Sequence, residues 1–333
     1  KLFDAGGTRR CLWAWPVPSA ARAGRGRMFG ESVSAQLLLA GDTNAAAEII
    51  AGLSLRGAVL VRLSVDDAAA LARLLRYSLH FFEKPHGEKA YVARDAVIPG
   101  VGPAAVRVGW RQPSASKELL RCFRGHPLPL PPDTPLSRAA GASEALLHAL
   151  LSRCANALLG PADVRAASST GRSAECGAEC GAALLPAGGS GGALPRLSDR
   201  FERNCAFDIF YYRADGCEVP CDAHVDRGLL HAIWAPAFGL QLWQYGAWRS
   251  PAEVWPSFEP WRDVVVLVNA EAEELSTEPW WPHGRMSACV HRVVRVAQTR
   301  VSVSYELRAA FTAAAAVEAE VQSGEAEAEG DGE

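Results

Sequence analysis

The chain has 333 residues, 49% hydrophobic and 21% charged, with a formal net charge of −3. This is globular composition, which excludes a disordered, collagen-like or fibrous chain. No apolar run reaches the ~18–20 residues that span a bilayer, and so small a net charge gives no electrostatic case for nucleic acid.

The charge is unevenly spread. Residues 318–333 hold six Glu and Asp331 with no base, so the rest of the chain stands at about +4. Residues 1–27 carry Lys1 and five Arg against Asp4. The expected location is cytoplasmic; the Arg-rich, acid-poor leader has the composition of an organelle transit peptide, which makes an organelle the alternative. The chain opens on Lys1, and Met28 is a candidate initiator. Its nine cysteines are odd in number and form no CxxC pair, which suits free thiols in a reducing compartment.

In chain order, Gly57–Leu63 (GAVLVRL) predicts a strand. Asp66 and Asp67 offer an N-cap to a helix with Leu71, Leu74, Leu75, Leu79 and Phe82 on one face, ending before Pro85. A second long helix is expected from about Ser143 to Leu159, stopped by Gly160. Residues 165–200 are small, polar and Gly-rich, and read as a mobile loop or insertion. Strands follow at 205–212, 229–235, 239–243, 264–268, 290–296 and 299–307. Short strands in a row, with Trp-rich connections, suggest a two-sheet sandwich or jelly roll.

The segment that carries chemistry is Cys221-Asp-Ala-His224-Val-Asp226. On a strand, residues two apart share a face, so His224 and Asp226 are expected to project together. A third ligand must come from a strand distant in sequence, and His291 is the candidate. Two His and one carboxylate on one face of an octahedron leave three positions for a bidentate co-substrate and O2. A closed four-ligand site leaves none. Arg300 and Ser302 again share a strand face. A guanidinium forks onto a carboxylate and a hydroxyl adds a bond, which suits the distal carboxylate of a 2-oxo diacid. Tyr212 closes a preceding strand and could donate to the same carboxylate.

With these residues in view, the chain resembles the 2-oxoglutarate/Fe(II)-dependent dioxygenase superfamily, in its isopenicillin N synthase-like, plant-type branch. The resemblance rests on His224-x-Asp226, Gly239–Trp243, Trp248, Val265–Asn269, His291-Arg-Val293 and Arg300-x-Ser302. In the amino-terminal half it rests on Gly57-Ala-Val-Leu-Val, on His80-Phe-Phe-Glu-Lys-Pro-His-Gly-Glu-Lys89, and on Gly109-Trp110 followed by Lys117-Glu118. It covers about residues 35–310. It implies a mainly β fold, a double-stranded β-helix (jelly roll) core with flanking helices and an amino-terminal α/β region. It also implies Fe(II) held by His224, Asp226 and His291, with 2-oxoglutarate on Arg300, Ser302 and Tyr212. O2 is the second co-substrate and ascorbate a candidate reductant. The implied reaction is decarboxylation to succinate and CO2, coupled to hydroxylation or desaturation of a small organic molecule. The expected division is a leader to residue 30, a mixed region over 31–164, the loop at 165–200, the core at 201–310 and an acidic tail from 311. The expected partner is a small-molecule substrate, with no nucleic acid, no membrane and a monomeric protein.

Departures from the family pattern keep two other readings open. Phe210 stands where relatives carry Asn before the binding Tyr, and Ala270-Glu-Ala-Glu273 replaces the usual Gly-Asp turn. A non-catalytic ligand-binding protein of the same fold, or an Fe(II) oxidase that uses no 2-oxoglutarate, would tolerate both. Among the remaining residues, His231 falls on the opposite strand face from Asp226 by parity, which predicts a structural role. His283 is expected at the surface or the pocket mouth, and Trp234 or Trp243 are candidates to line a pocket. Cys217, Cys221 and His224 lack the spacing of a common zinc site. Gly188–Gly192 fits G-x-S-x-G only formally, lacking the strand–turn–helix context.

Overall fold

The computed structural model describes residues 32–98, 104–159, 205–214, 221–237, 239–278 and 281–308. The leader, the 165–200 segment and the acidic tail lie outside the described residues.

The amino-terminal half opens with β1 (Val33–Ser34) and α1 (Ala35–Leu39). In α2 (Thr43–Arg56) the Asp42 carboxylate accepts from the Ala45 N–H at 2.8 Å, meeting one of the orphan donors of the first turn. This helix stops at Gly57, where φ is +65° and a Cβ would lie 2.5 Å from the Ser287 carbonyl oxygen, so only glycine fits. The predicted strand follows as β2 (Ala58–Arg62). The cap of α3 (Val65–Phe82) is Ser64, whose hydroxyl accepts from the Asp67 N–H at 3.1 Å. Asp66 and Asp67 sit in the first turn instead, where the helix dipole favours them. After α4 (His86–Ala90), the strands β3 (Ala93–Ala96), β4 (Val106–Ser114) and β5 (Lys117–Phe123) precede α5 (Pro135–Leu159). That helix starts eight residues before the expected Ser143. The first two turns carry few large apolar residues, so periodicity alone does not mark them.

The second half supplies β6 (Ala206–Tyr212), β7 (Cys221–His224), β8 (Leu230–Trp234), β9 (Leu240–Gln244) and β10 (Ala247–Arg249). After α6 (Pro251–Val254) come β11 (Asp263–Val268), α7 (Ala270–Leu275), β12 (His291–Val293) and β13 (Arg300–Leu307). Nine strands form one sheet in the order β1-β2-β11-β8-β13-β6-β5-β4-β3, and four form a smaller one, β10-β9-β12-β7. Only β1 and β2 pair in parallel; every other pairing among the described residues is antiparallel, as a jelly roll requires.

Alternation along the strands gives the large sheet two different faces. Its outer face packs Val61, Phe207, Val266 and Val303 against Leu71 and Leu74 of α3 and Leu147 and Leu151 of α5. Each such fully buried side chain contributes ~1.5–3 kcal/mol. The inner face is divided. On one side Leu60, Ile233, Val265 and Leu267 meet Leu240 and Leu242 of the small sheet and Trp255. On the other side, β5, β6 and β13 present Lys117, Arg121, Asp208, Tyr212, Arg300, Ser302 and Ser304 in matched rows.

A buried polar hub fixes the amino-terminal helices to the sheet. The fully buried Glu118 accepts from Lys89 Nζ at 2.5 Å, Trp110 Nε1 at 2.8 Å and Arg213 Nη2 at 2.6 Å. Lys89 also donates to the Phe82 carbonyl at 2.9 Å. Thus the Phe81-Phe82…Lys89, Trp110 and Lys117-Glu118 stretches of sequence meet at one carboxylate.

Candidate metal and co-substrate site

Strand pairing brings His224 and His291 together. They are directly opposed on β7 and β12, and their ring centroids are 4.4 Å apart. Asp226 reaches the same point by another route than strand parity. β7 ends at His224, and Asp226 lies in the turn before β8. That turn is held by backbone bonds on both sides. Ala270 N–H donates to the Asp226 carbonyl at 3.0 Å, and Leu229 N–H to the Leu307 carbonyl at 2.7 Å. Gly228 N–H donates to Glu306 Oε1 at 2.7 Å. A Cβ on Gly228 would lie 2.6 Å from the Leu307 oxygen, so this close approach needs glycine. The Ala270–Leu275 segment that replaces a Gly-Asp turn is therefore a helix whose first N–H group pins the carboxylate's backbone.

The three residues converge. Their ligand atoms all lie within 4.8 Å of one another. His224 Nε2 is 3.5 Å from Asp226 Oδ1, and His291 Nε2 is 3.3 Å from Asp226 Oδ2. The other ring nitrogens face carbonyls: His224 Nδ1 is 2.7 Å from Asp222 O, and His291 Nδ1 is 3.2 Å from Cys289 O. A carbonyl only accepts, so each Nδ1 carries a proton and Nε2 is the nitrogen left facing the cluster, free to bind a metal once its own proton is displaced. Two imidazole nitrogens and a carboxylate on one side of a common point fit a divalent iron. Cys221 Sγ lies 3.9 Å from His224 Nδ1, on the side of the ring away from Nε2.

His231 departs from its expected structural role. Its Nδ1–H donates to Asp226 Oδ2, and the ring is buried. The parity argument fails because residues 225–229 form a turn, not strand, between His224 and His231. Burial alone would raise the Asp226 carboxyl, but the His231 charge and hydrogen bonds from His224, His231 and His291 hold it well below the usual carboxylate range. Hydrogen bonding to Asp226, and then to Cys221, raises His224 to about 10 in the metal-free protein. A cation entering here displaces that proton.

Arg300, Ser302 and Tyr212 also come together. Arg300 pairs with Tyr212 across β13 and β6, and its guanidinium lies 4.8 Å from the centre of the Tyr212 ring. Arg300 Nη2 is 3.4 Å from Ser302 Oγ. All three are buried, at 3%, 3% and 5% exposure. Room for the guanidinium comes from Gly239, where a Cβ would collide with Arg300 Nη1. Burial lowers the Arg300 pKa and raises that of Tyr212, so the phenol stays neutral. A buried cation beside a hydroxyl is a carboxylate receptor in its donor set.

Other candidates lie elsewhere. His283 rests against the end of α5, with Nε2 3.3 Å from the Ala157 carbonyl. Trp234 is fully buried against Trp261. Trp243 is 45% exposed and meets Trp248 edge-on, over which Arg292 is stacked at 4.2 Å. Neither tryptophan lines the cluster. Cys217 and Gly188–Gly192 lie outside the described residues.

No protein-family model matches the chain, and no curated protein matches it. Solved structures do. A full-length Neurospora crassa protein, in complex with α-KG and 5-formyluracil, superposes with a TM-score of 0.56 at 17% identity, covering 83% of each chain. The dioxygenase for auxin oxidation 1 from Arabidopsis thaliana, as its 2-oxoglutarate complex, gives 0.53 at 17% identity over 80% of this chain and 89% of that one. The rice dioxygenase for auxin oxidation gives 0.52 at 18% identity over 83% and 82%. The chain thus has the jelly-roll fold shared by the 2-oxoglutarate/Fe(II) oxygenases, as its sequence resemblance implied.

Proposed function

We propose that the protein is an Fe(II)- and 2-oxoglutarate-dependent oxygenase that couples decarboxylation of 2-oxoglutarate to oxidation of a small organic substrate. The observation that carries this reading is the convergence of His224, Asp226 and His291, with both Nδ1 atoms occupied by carbonyls. The solved structures of like fold that hold 2-oxoglutarate or α-KG support it.

In this reading His224 Nε2, Asp226 and His291 Nε2 hold the metal on one face. Bound iron would activate O2, the oxidant, toward 2-oxoglutarate and substrate. The chain's own residues bind and orient. Arg300 and Ser302 hold the distal carboxylate of 2-oxoglutarate, and Tyr212 donates its hydroxyl to the same group while its ring supports the guanidinium. His231 fixes one Asp226 oxygen and so sets the direction in which the carboxylate faces the metal. The buried apolar side, with Leu240, Leu242 and Val265, keeps water from that flank.

Succinate formation by the purified protein with Fe(II), ascorbate and O2, beside a His224→Ala control, tests the assignment. Iron-dependent succinate that vanishes in the variant supports it. Full activity in His224→Ala, or no 2-oxoglutarate binding to the anaerobic Fe(II) protein, overturns it.

A further inference from the structure

The inner face of the large sheet holds more positive charge than one co-substrate answers. Strand register sets its polar half out in rows. Lys117, Tyr212 and Arg300 form the first row, and Arg111, Leu119, Phe210 and Ser302 the second. Arg121, Asp208 and Ser304 form the third. Arg111 belongs to this face because its neighbour Trp110 points the other way, to Glu118, and because the charges Arg111 feels are those of Arg121 and Asp208.

The carboxylates of this polar half are already committed. Asp95 on β3 accepts from Arg107 Nη1, opposite it on β4, at 3.4 Å. Asp208 is forked by Arg121, with Nε–Oδ1 at 2.6 Å and Nη2–Oδ2 at 2.5 Å. Glu306 accepts from Gly228 N–H at 2.7 Å and from Arg308 Nη2 at 2.6 Å. On the reading above, Arg300 is answered by 2-oxoglutarate. Arg111 and Lys117 are left. Lys117 stands 4.6 Å from the centre of the Phe210 ring and 3.8 Å from Cys221 Sγ, with no carboxylate partner among the described residues. Arg111 makes no ion pair among them, and its Nε is buried without a hydrogen-bond partner. Both flank an apolar floor, since Leu119 lies opposite Arg111 and beside Phe210, and Lys117 is one inward position from Leu119. Arg111 is half-buried, and its buried Nε donor has no acceptor among the described residues, an arrangement that an anion beside the guanidinium would complete.

The geometry points to an organic carboxylate as the prime substrate, its apolar body against the half-buried Phe210 and its carboxylate on Arg111, with Lys117 adding positive field. This rests on the oxygenase reading, since it takes Arg300 as spoken for. Arg121 is excluded as the receptor because its fork is filled by Asp208. It acts as a positioning residue that keeps Asp208 from neutralising Arg111.

The test is anaerobic calorimetric titration of the full chain loaded with Fe(II) and 2-oxoglutarate. The probes are phenylacetate, cinnamate and 2-naphthoate, each beside its primary amide. At least one carboxylate is expected to bind about tenfold or more tightly than its amide, the size of one charge-assisted contact. Arg111→Gln should abolish that preference while leaving amide binding unchanged, and Arg111→Lys should restore part of it. No carboxylate preference in any pair, or a preference that survives Arg111→Gln, overturns the proposal. The visible charge-transfer band of the Fe(II)–2-oxoglutarate complex is recorded first. Its absence counts against the co-substrate reading, and the titration is then run on the Fe(II) protein alone.

Discussion

His231 Nδ1–H donates to Asp226 Oδ2, so a buried imidazole holds the carboxylate of the candidate metal cluster. The bond joins β8 to the turn before it and leaves Asp226 Oδ1, 3.5 Å from His224 Nε2, on the metal side. Loss of such an outer partner costs ~10–100-fold in metal affinity. His231→Leu is expected to lose that much by chelator competition, and His231→Asn, which keeps a donor, to recover part of it. Equal affinity of wild type and His231→Leu would show that the turn alone orients Asp226.

Gly239 and Arg300 share one constraint. The glycine has φ +126°, and a Cβ there would run into Arg300 Nη1. Gly239→Ala must therefore displace the guanidinium or strain the backbone. The expected result is a rise of about tenfold or more in the 2-oxoglutarate concentration for half-saturation, the size of a charge-assisted contact. Metal affinity should change little, because Arg300 lies on a different sheet from His224 and His291. Arg300→Ala should repeat the pattern. A parallel loss of metal and co-substrate binding in both variants would remove Arg300 from its assigned role.

Much of this site is legible in the sequence because its residues lie in strands whose period is two. Arg300, Ser302 and Ser304 share a face, and the structure places them in one inward stripe. His224 and His291 are also found, although only the pairing of β7 with β12 makes them neighbours. Asp226 is found for an inexact reason, since a turn and not a strand presents it. The same turn breaks the parity on which the reading of His231 depended. Arg111 and Arg121 give no local signal, because a cation on a strand reads as surface until the register shows which face it occupies. Likewise β3, β4 and β5 carry charged residues and little apolar alternation, so their place in the large sheet is set by pairing with β6.

The Glu118 hub predicts non-additive stability. Its carboxylate is fully buried with Lys89 at 3% exposure, and the Lys89, Trp110 and Arg213 bonds outweigh burial to lower the Glu118 pKa. Glu118→Gln strands a buried ammonium, a loss of ~3–5 kcal/mol. Adding Lys89→Met removes the stranded charge, so the double variant should be no less stable than Glu118→Gln alone. Urea unfolding of the four proteins measures the coupling. Strict additivity would show that the hub contributes no interaction beyond its separate residues.

His148 links stability to pH. It sits on α5 with Nδ1 2.8 Å from the Tyr305 hydroxyl, and burial lowers its pKa from 6.5 to about 4, with the Arg124 charge adding to the effect. A histidine depressed in the folded state binds its proton more readily when unfolded. The stability it protects is therefore fully present above pH 6.5 and falls as the pH drops from there towards 4. Wild type should lose more of its urea midpoint between pH 7.5 and pH 5 than His148→Gln, which has no such proton to take up. The excess should scale with the part of the ring withheld from water, since His148 is only partly buried. Identical pH profiles for the two proteins would show that the ring is hydrated in solution and that the Tyr305 contact does not hold it neutral.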